Sequence, residues 1–174
     1  MPHTADQLFS FLDSLGIEHH TIKHPAFFTV EDGRDWHHKI PGVHCKNLFL
    51  KDKNGGLWLI VMQADKRADI GNTARRIGAP KLSFASPEIL LEALGLTPGS
   101  VTPFALMNDT QNRVQVVLDE DMLAHDQVNY HPLHNEASTT LRSADLVTFI
   151  KATGHTPIIA NCGAEPALQQ TAQG

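Results

Sequence analysis

Two short segments contain the residues whose types and spacing could do chemistry. The first, CKNLFL at residues 45–50, places Lys46 at the start of an apolar stretch. The second, GSVTP at residues 99–103, is a glycine loop directly before another apolar run. The Lys46 ammonium can attract a phosphate or carbonyl oxygen, and Gly99 lets backbone N–H groups approach a ligand and donate to a developing oxyanion. Together the two segments indicate a site for an anionic or ester-bearing ligand.

Taken separately, each segment also fits a plainer interpretation. Lys46 could be a solvated lysine at the end of a strand, and residues 99–103 could be an ordinary connection between two elements. Asn47 adds a constraint, because consecutive side chains of a regular strand point to opposite faces. Lys46 and Asn47 can therefore line one site only if the strand begins irregularly at this point.

A third polar segment, HPLHN at residues 131–135, predicts a turn between two strands. Histidines in such a turn can bind a metal, which leaves a metal-dependent hydrolase using His131 and His134 as an alternative. The chain has no His-Glu-x-x-His motif and no clustered carboxylates, so a turn with His131 lining a pocket or the core is favoured. We therefore expect no metal and no cofactor.

Cys45 beside one of the many histidines could act as a nucleophile. A small apolar thiol in the core is the favoured interpretation. No convincing pair of nucleophile and base stands out in the sequence.

The elements that must position these segments follow from caps, turns and apolar periodicity. Helices are predicted over 4–16, 29–40, 69–77, 86–94 and 143–153. The first begins with a capping box, the fourth is capped by Ser86 and the last by Ser143. Strands are predicted over 17–22, 104–107, 114–118, 128–130, 137–141 and 157–160, with a hairpin over 46–63. No regular alternation of strand and helix appears. The fold class is therefore α/β of the mixed α+β kind, with a largely antiparallel sheet flanked by helices.

Length and composition predict one globular domain. The chain has 174 residues, 41% hydrophobic and 19% charged, which suits a compact core. The domain is expected over residues 1–162, and the low-complexity segment 163–174 is expected to be a flexible tail.

Charge, cysteine usage and the chain start narrow the function classes. Lys and Arg number 14 against 19 Asp and Glu, a net charge of −5. Proteins dedicated to duplex DNA are usually basic, so DNA is excluded as a partner.

Cys45 and Cys162 lie far apart and predict a reduced compartment without disulfides. The start lacks the pattern of a signal peptide and no apolar run reaches about 20 residues, so we expect cytoplasmic localisation and no membrane contact.

Jointly and in this order, residues 45–50, 99–104 and 131–135 make the chain resemble the YbaK-like family of aminoacyl-tRNA deacylases. That family includes the editing domain inserted in bacterial prolyl-tRNA synthetases, and the chain is most similar to its free-standing Ala-tRNA(Pro) deacylase branch. The resemblance covers nearly the whole chain. It implies a mixed α/β fold with a curved, barrel-like sheet, and hydrolysis of the ester that joins a mischarged amino acid to the terminal adenosine of a tRNA.

The resemblance also implies roles for individual residues. Lys46 would hold the terminal adenosine or its phosphate, and the Gly99 amide would polarise the ester carbonyl. The other implied substrate-binding residues shape the amino-acid pocket, wall it or belong to its loop: Asn47, His131, Phe28, Val30, Ser100 and Pro103. In the mechanism proposed for the family, a ribose hydroxyl of the substrate activates or orients the attacking water.

The implied partner is the acceptor end of a mischarged tRNA for proline, with prolyl-tRNA synthetase or an elongation factor as further partners. A basic cluster could form a patch for the acceptor stem or a solvated helix face: Lys66, Arg67, Arg75, Arg76 and Lys81. Two alternatives remain besides the metal-dependent hydrolase. One is a deacylase for another small aminoacyl-tRNA, carrying cysteine or serine, and the other is a non-catalytic module that binds the tRNA end.

Overall fold

The computed structural model describes residues 2–27 and 30–164, and of Val30 only the backbone. Its helices are α1 Ala5–Ser14, α2 Val30–Arg34, α3 Ile70–Ile77, α4 Pro87–Leu94, α5 Glu120–Leu123 and α6 Ser143–Ala152, with a 3-10 helix at Pro103–Asn108. Its strands are β1 His20–Lys23, β2 Val43–Asp52, β3 Leu57–Gln63, β4 Leu82–Phe84, β5 Val114–Asp119, β6 Gln127–Tyr130, β7 Ala137–Arg142 and β8 Ile158–Ala160.

In the described part of the chain, eight strands form one mixed sheet in the order β1-β7-β6-β2-β3-β5-β8, with β4 paired to β2 beside this path. Strand pairs β1–β7, β6–β7, β2–β3 and β2–β4 are antiparallel. Pairs β2–β6, β3–β5 and β5–β8 are parallel. The predicted fold class, a mixed α/β fold with a sheet flanked by helices, is confirmed.

Strand β3 lies inside the sheet, between β2 and β5, and is buried on both faces. Leu57, Leu59 and Val61 on one face join the larger core, which includes residues of α1, α4 and α6. Trp58, Ile60 and Met62 on the other face join a smaller core under α3. This burial explains why β3 is a continuous apolar run rather than an alternating one.

Side-chain caps open three of the helices, and those of α1 and α4 were predicted. Thr4 and Gln7 form the capping box of α1, with Gln7 N–H donating to Thr4 Oγ1 at 3.2 Å. Asp69 caps α3 and Ser86 caps α4 through their side chains. These caps satisfy N–H groups that the first helical turn leaves unpaired.

Three expectations about local structure were wrong. The apolar run 104–107 is a 3-10 helix rather than a strand, and it begins at Pro103 after the cap Thr102. Periodicity cannot separate a short buried helix from a buried strand. Ser143 does not cap α6: its hydroxyl donates to His125 O at 2.6 Å, and Arg142 precedes the helix without a side-chain cap. Helix α2 ends at Arg34, well short of residue 40.

A buried ion pair connects the C-terminal part of the described chain to the sheet. Lys66 Nζ lies 2.9 Å from the carboxylate of Asp119, which is fully buried. It also lies 2.8 Å from the Asp121 carboxylate and 2.8 Å from the side-chain oxygen of Asn161. The same Asp119 carboxylate accepts from the Cys162 backbone N–H at 2.8 Å. One lysine therefore joins the end of β3, the end of β5 and the segment after β8.

Two members of the basic cluster are thus occupied within the protein. Lys66 holds the acidic side chains just described, and Arg76 donates to the carbonyl oxygens of Asn161 and Gly163, each at 2.7 Å. Arg67, Arg75 and Lys81 are exposed.

Gly163 also forms a bridge with Ala68, while residues 165–174 lie outside the described part. None of the helices in the described residues is both long and apolar enough to cross a membrane.

We predict that Lys66→Met lowers the free energy of unfolding by about 3 kcal/mol, because it leaves the buried Asp119 carboxylate without its cation. Urea denaturation followed by circular dichroism measures this change. Lys53→Met is the matched control, since Lys53 is exposed in the turn between β2 and β3 and should change stability by less than about 0.5 kcal/mol. Equal stability of the two variants would contradict the prediction.

Candidate active site

The candidate site lies where the edge of β2 is uncovered. Strand β3 occupies one edge of β2 as far as His44, whose carbonyl accepts from Ala64 N–H at 2.7 Å. On the other edge the parallel strand β6 pairs with Val43 and His44, and the antiparallel strand β4 pairs with residues 50–52. Among the described residues, 45–48 have no strand neighbour on this edge.

A cavity of about 340 Å³ opens beside this uncovered edge. Its described lining comes from β2, the end of β6, the start of β7, the glycine loop and the region of α2: Phe27, Gly33, His37, His44, Cys45, Lys46, Asn47, Ala64, Gly99, Val101, Asn129, Tyr130, His131 and Ser138. The sequence-predicted residues Lys46, Asn47, Gly99 and His131 are therefore brought together at one cavity, although the three segments are far apart in the chain.

Lys46 and Asn47 both border the cavity although β2 is regular throughout, so the expected irregular start does not occur. Consecutive side chains point to opposite faces of the sheet. Because the cavity lies at an edge rather than on a face, side chains from both faces can reach it. The uncovered edge, rather than an irregular strand, allows Lys46 and Asn47 to line the same cavity.

Lys46 supplies the positive charge of the cavity. Its side chain is partly buried, and this burial lowers its pKa, while the Asp65 carboxylate acts in the opposite direction. No ion pair holds Lys46 in the described part of the chain, and none of the described lining residues is acidic. A partly desolvated ammonium without an ion-pair partner in the described residues is a suitable partner for a phosphate or a carbonyl oxygen.

Asn47 presents an unsatisfied acceptor. Its Nδ2 donates to Val101 O at 3.1 Å, which fixes the orientation of the amide because a carbonyl can only accept. Its Oδ1 is buried and has no hydrogen-bond partner among the described residues. An unpaired buried polar atom costs about 1–3 kcal/mol, so the arrangement favours a ligand that brings a donor.

Gly99 is required by the local backbone. Thr97 to Ser100 form a turn closed by Ser100 N–H donating to Thr97 O at 3.1 Å, with Pro98 second and Gly99 third at φ 93°. This is the sequence and geometry of a type II turn, whose third residue needs positive φ. The Gly99 N–H donates to no acceptor in the described residues, and Gly99 lines the cavity.

The other two predicted loop residues do not line the cavity. Ser100 is buried, and its N–H donates to Thr97 O within the turn. Pro103 is buried at the start of the 3-10 helix. Phe28 lies outside the described residues. Of Val30 the structure gives only the backbone, which begins α2, so its predicted place in the pocket wall is not described.

His131 is held as a neutral acceptor. Its Nδ1 lies 3.0 Å from Ala137 O, which can only accept, so Nδ1 carries the hydrogen and Nε2 keeps a lone pair. Burial lowers the pKa of His131, and the nearby His24 and His134 act in the same direction. His134 instead accepts from Glu136 N–H at 3.1 Å.

The described residues contain no group of three or more His, Cys, Asp or Glu side chains that could hold a metal ion. The alternative of a metal-dependent hydrolase using His131 and His134 therefore gains no support from this geometry. Cys45 is a poor nucleophile, because burial raises the pKa of its thiol to about 12.

Sequence reasoning missed one pair at this cavity. Ser138 lines it, and its Oγ lies 2.8 Å from His24 Nε2. The two residues are 114 positions apart, one in β7 and one just after β1, and neither belongs to a recognisable spacing. Only the pairing of β1 with β7 brings them together.

Comparison with known proteins assigns the family. The model of the aminoacyl-tRNA editing domain matches residues 24–149. The chain belongs to the aminoacyl-tRNA editing domain family. The matched segment contains every residue that lines the cavity.

Full-length relatives agree with this assignment. The chain is 41% identical over 155 residues to a prolyl-tRNA synthetase associated domain-containing protein 1 of Danio rerio, covering 88% of this chain and 84% of the relative. It is 36% identical over 146 residues to the prolyl-tRNA editing protein ProX of Acetoanaerobium sticklandii, covering 83% and 89%. The fold is shared with the crystal structure of a candidate trans-editing enzyme for prolyl tRNA synthetase, at a TM-score of 0.71 and 22% identity over 95% of this chain and 99% of that one.

A pH-dependent stability should follow from His44, whose ring stacks on His37 at 3.9 Å and whose Nε2 is buried without a described partner. Burial lowers the pKa of His44 from 6.5 to about 4, and His37 adds to this effect. As the pH falls from 6.5 towards 4, the unfolded chain takes up a proton at His44 that the folded protein does not, so stability decreases.

We predict that His44→Asn reduces this loss. Urea denaturation of both proteins at about pH 7 and about pH 5 measures it, since the histidine contributes no pH dependence above its unfolded pKa. An equal decrease in the free energy of unfolding in both proteins would contradict the assignment.

Proposed function

We propose that the protein is a trans-editing deacylase that hydrolyses the ester of mischarged Ala-tRNA(Pro). The observation that carries the proposal is the set of groups at the cavity: the Lys46 ammonium without an ion pair, the unpaired Asn47 Oδ1 and the Gly99 N–H without an acceptor in the described residues. Membership of the aminoacyl-tRNA editing domain family and relatives named for prolyl-tRNA editing support it. The proposed partner is the acceptor end of the tRNA, with prolyl-tRNA synthetase or an elongation factor as delivery partner.

In this proposal each group at the cavity has one task. Lys46 holds the phosphate of the terminal adenosine as a compact point charge. The Gly99 N–H polarises the ester carbonyl and stabilises the oxyanion that forms on it. Asn47 Oδ1 accepts a hydrogen bond from the α-ammonium of the amino acid, and His131 shapes the pocket for its side chain. A ribose hydroxyl of the substrate orients the attacking water.

Two loop residues support the proposed site from outside the described cavity lining. Ser100 closes the turn that presents Gly99, and Pro103 ends the loop at the 3-10 helix. Phe28 and Val30 are proposed to wall the amino-acid pocket. The described lining of the cavity includes Phe27 and Gly33.

The selectivity of such an enzyme would come from size. A synthetase pocket that accepts proline cannot reject alanine strongly, because each missing methylene is worth only about 1–3 kcal/mol. A second, smaller pocket can admit alanine and exclude proline. The net charge of −5 and the occupation of Lys66 and Arg76 within the fold favour binding concentrated at the acceptor end.

We predict rapid deacylation of Ala-tRNA(Pro) and little loss of Pro-tRNA(Pro), with a chelator present in both reactions. Release of the labelled amino acid over time measures both rates. Hydrolysis of neither ester, nor of Cys- or Ser-tRNA, alongside retained tRNA affinity would indicate a non-catalytic module instead. Activity that the chelator abolishes would support a metal-dependent hydrolase.

We predict that Lys46→Met lowers kcat/KM on Ala-tRNA(Pro) roughly 100-fold, because it removes a charged contact worth about 3 kcal/mol. Thermal stability should change little, since no described ion pair is lost. Lys53→Met, in the turn of the same hairpin, is the matched control and should keep full activity. A folded and fully active Lys46→Met protein would exclude the proposed role.

A further inference from the structure

A buried hydroxyl–imidazole pair, Ser138 and His24, reaches the cavity through Ser138. Ser138 and His24 are only 3% and 6% exposed, and Ser138 Oγ lies 2.8 Å from His24 Nε2. Ser138 borders the same cavity as Lys46 and Gly99. None of the proposed tasks above uses this pair.

The direction of the hydrogen bond is fixed by a neighbouring carbonyl. His24 Nδ1 lies 2.8 Å from Pro25 O, and a carbonyl oxygen can only accept. Nδ1 therefore carries the hydrogen, Nε2 has the lone pair, and the Ser138 hydroxyl donates to it. A serine that donates to an imidazole oriented from its far side has the polarity of an activated hydroxyl.

The imidazole is held firmly in this orientation. Its ring stacks on Phe27 with centroids 3.9 Å apart and planes 2° apart, and it lies 5.7 Å from the Trp36 ring. Pairing of Ile22 with Ser138 in strands β1 and β7 sets the distance between the two partners. Packing and register together keep Nε2 directed at the hydroxyl.

A purely structural hydroxyl in this strand looks different. The next residue, Thr139, is fully buried, and its hydroxyl is paired with Thr21 Oγ1 at 2.7 Å without bordering the cavity. Ser138 instead borders the cavity and keeps lone pairs after donating its one hydrogen. It can therefore accept a hydrogen bond from a group inside the cavity.

The titratable groups around His24 are two histidines and two exposed charged side chains. His131 lies 6.0 Å from His24, and burial lowers the pKa of both His131 and His44, which keeps them neutral. The flanking Lys23 and Glu136 are exposed to solvent.

We propose that Ser138 and His24 form a proton relay that deprotonates the attacking water. The inference rests on the proposed deacylase function and adds the group that receives the proton, while the ribose hydroxyl of the substrate orients the water. Ser138 is the catalytic residue, since it contacts the water, and His24 acts through it.

The relay balances without any further reactant. The water oxygen bonds to the ester carbonyl carbon as its proton passes to Ser138 Oγ and the Ser138 proton passes to His24 Nε2. The tetrahedral intermediate then collapses with cleavage of the bond to the ribose oxygen. That oxygen receives the proton back from His24 through Ser138, which restores the neutral pair and leaves free amino acid and tRNA.

The test is single-turnover deacylation of Ala-tRNA(Pro) at saturating enzyme, together with the affinity for uncharged tRNA. Ser138→Ala should lower the maximal rate on the order of 100-fold, the usual contribution of general base catalysis, with unchanged tRNA affinity. Ser138→Thr, which restores a hydroxyl, should recover most of the rate. His24→Gln can accept the hydrogen bond but cannot hold the proton, so it should be as slow as Ser138→Ala.

Thr139→Val is the matched control, because it removes the neighbouring hydroxyl that does not border the cavity, and it should keep the wild-type rate. Should Ser138→Ala lose stability in thermal melts, His24→Gln decides alone. Near wild-type rates in both would overturn the relay, and so would an alanyl ester on Ser138 in quenched reactions. An inactive wild-type protein would overturn the proposed function together with the relay, whereas an active wild type with active variants overturns only the relay.

Discussion

The site depends on how one edge of strand β2 is paired with two different strands. Strand β2 takes a parallel partner, β6, at its beginning and an antiparallel partner, β4, at its end, both on the same edge. The two partners leave residues 45–48 uncovered between them. An uncovered edge inside a packed fold would normally have unsatisfied backbone groups. Here it faces a cavity, which is why polar side chains from both faces of the sheet collect in one place.

The site also departs from the usual satisfaction of buried polar atoms. Asn47 Oδ1 and His44 Nε2 are buried without described partners, and Lys46 is partly desolvated without a described ion pair. Buried polar groups without partners lower the free energy of unfolding. The compensation lies elsewhere, in the doubly buried β3 and in the ion pair that Lys66 makes with Asp119. The stable parts of the sheet thus hold a binding edge that is not optimised for stability.

Local signals were enough to predict the parts of the fold that local physics determines. The capping box at Thr4, the cap at Ser86 and the β2–β3 hairpin follow from a few neighbouring residues. The parallel pairs and the 3-10 helix at Pro103–Asn108 do not, because they depend on partners far along the chain or on burial. The same division applies to the site: segments with a lysine or a glycine loop stand out, whereas Ser138 and His24 acquire meaning only through strand register.

The two ends of the sheet have a consequence for behaviour at high concentration. In the described chain the sheet ends in β1 and β8, which are only four and three residues long. The ends of β1, His20 and Lys23, are exposed polar residues, whereas β8 exposes Ile159. Short edges offer few backbone groups to a second molecule. Strand β4, which among the described strands pairs only with β2, is a further edge of three residues and exposes Phe84. Because all of these edges are short, the protein should resist edge-to-edge association into larger sheets although β4 and β8 each expose an apolar side chain.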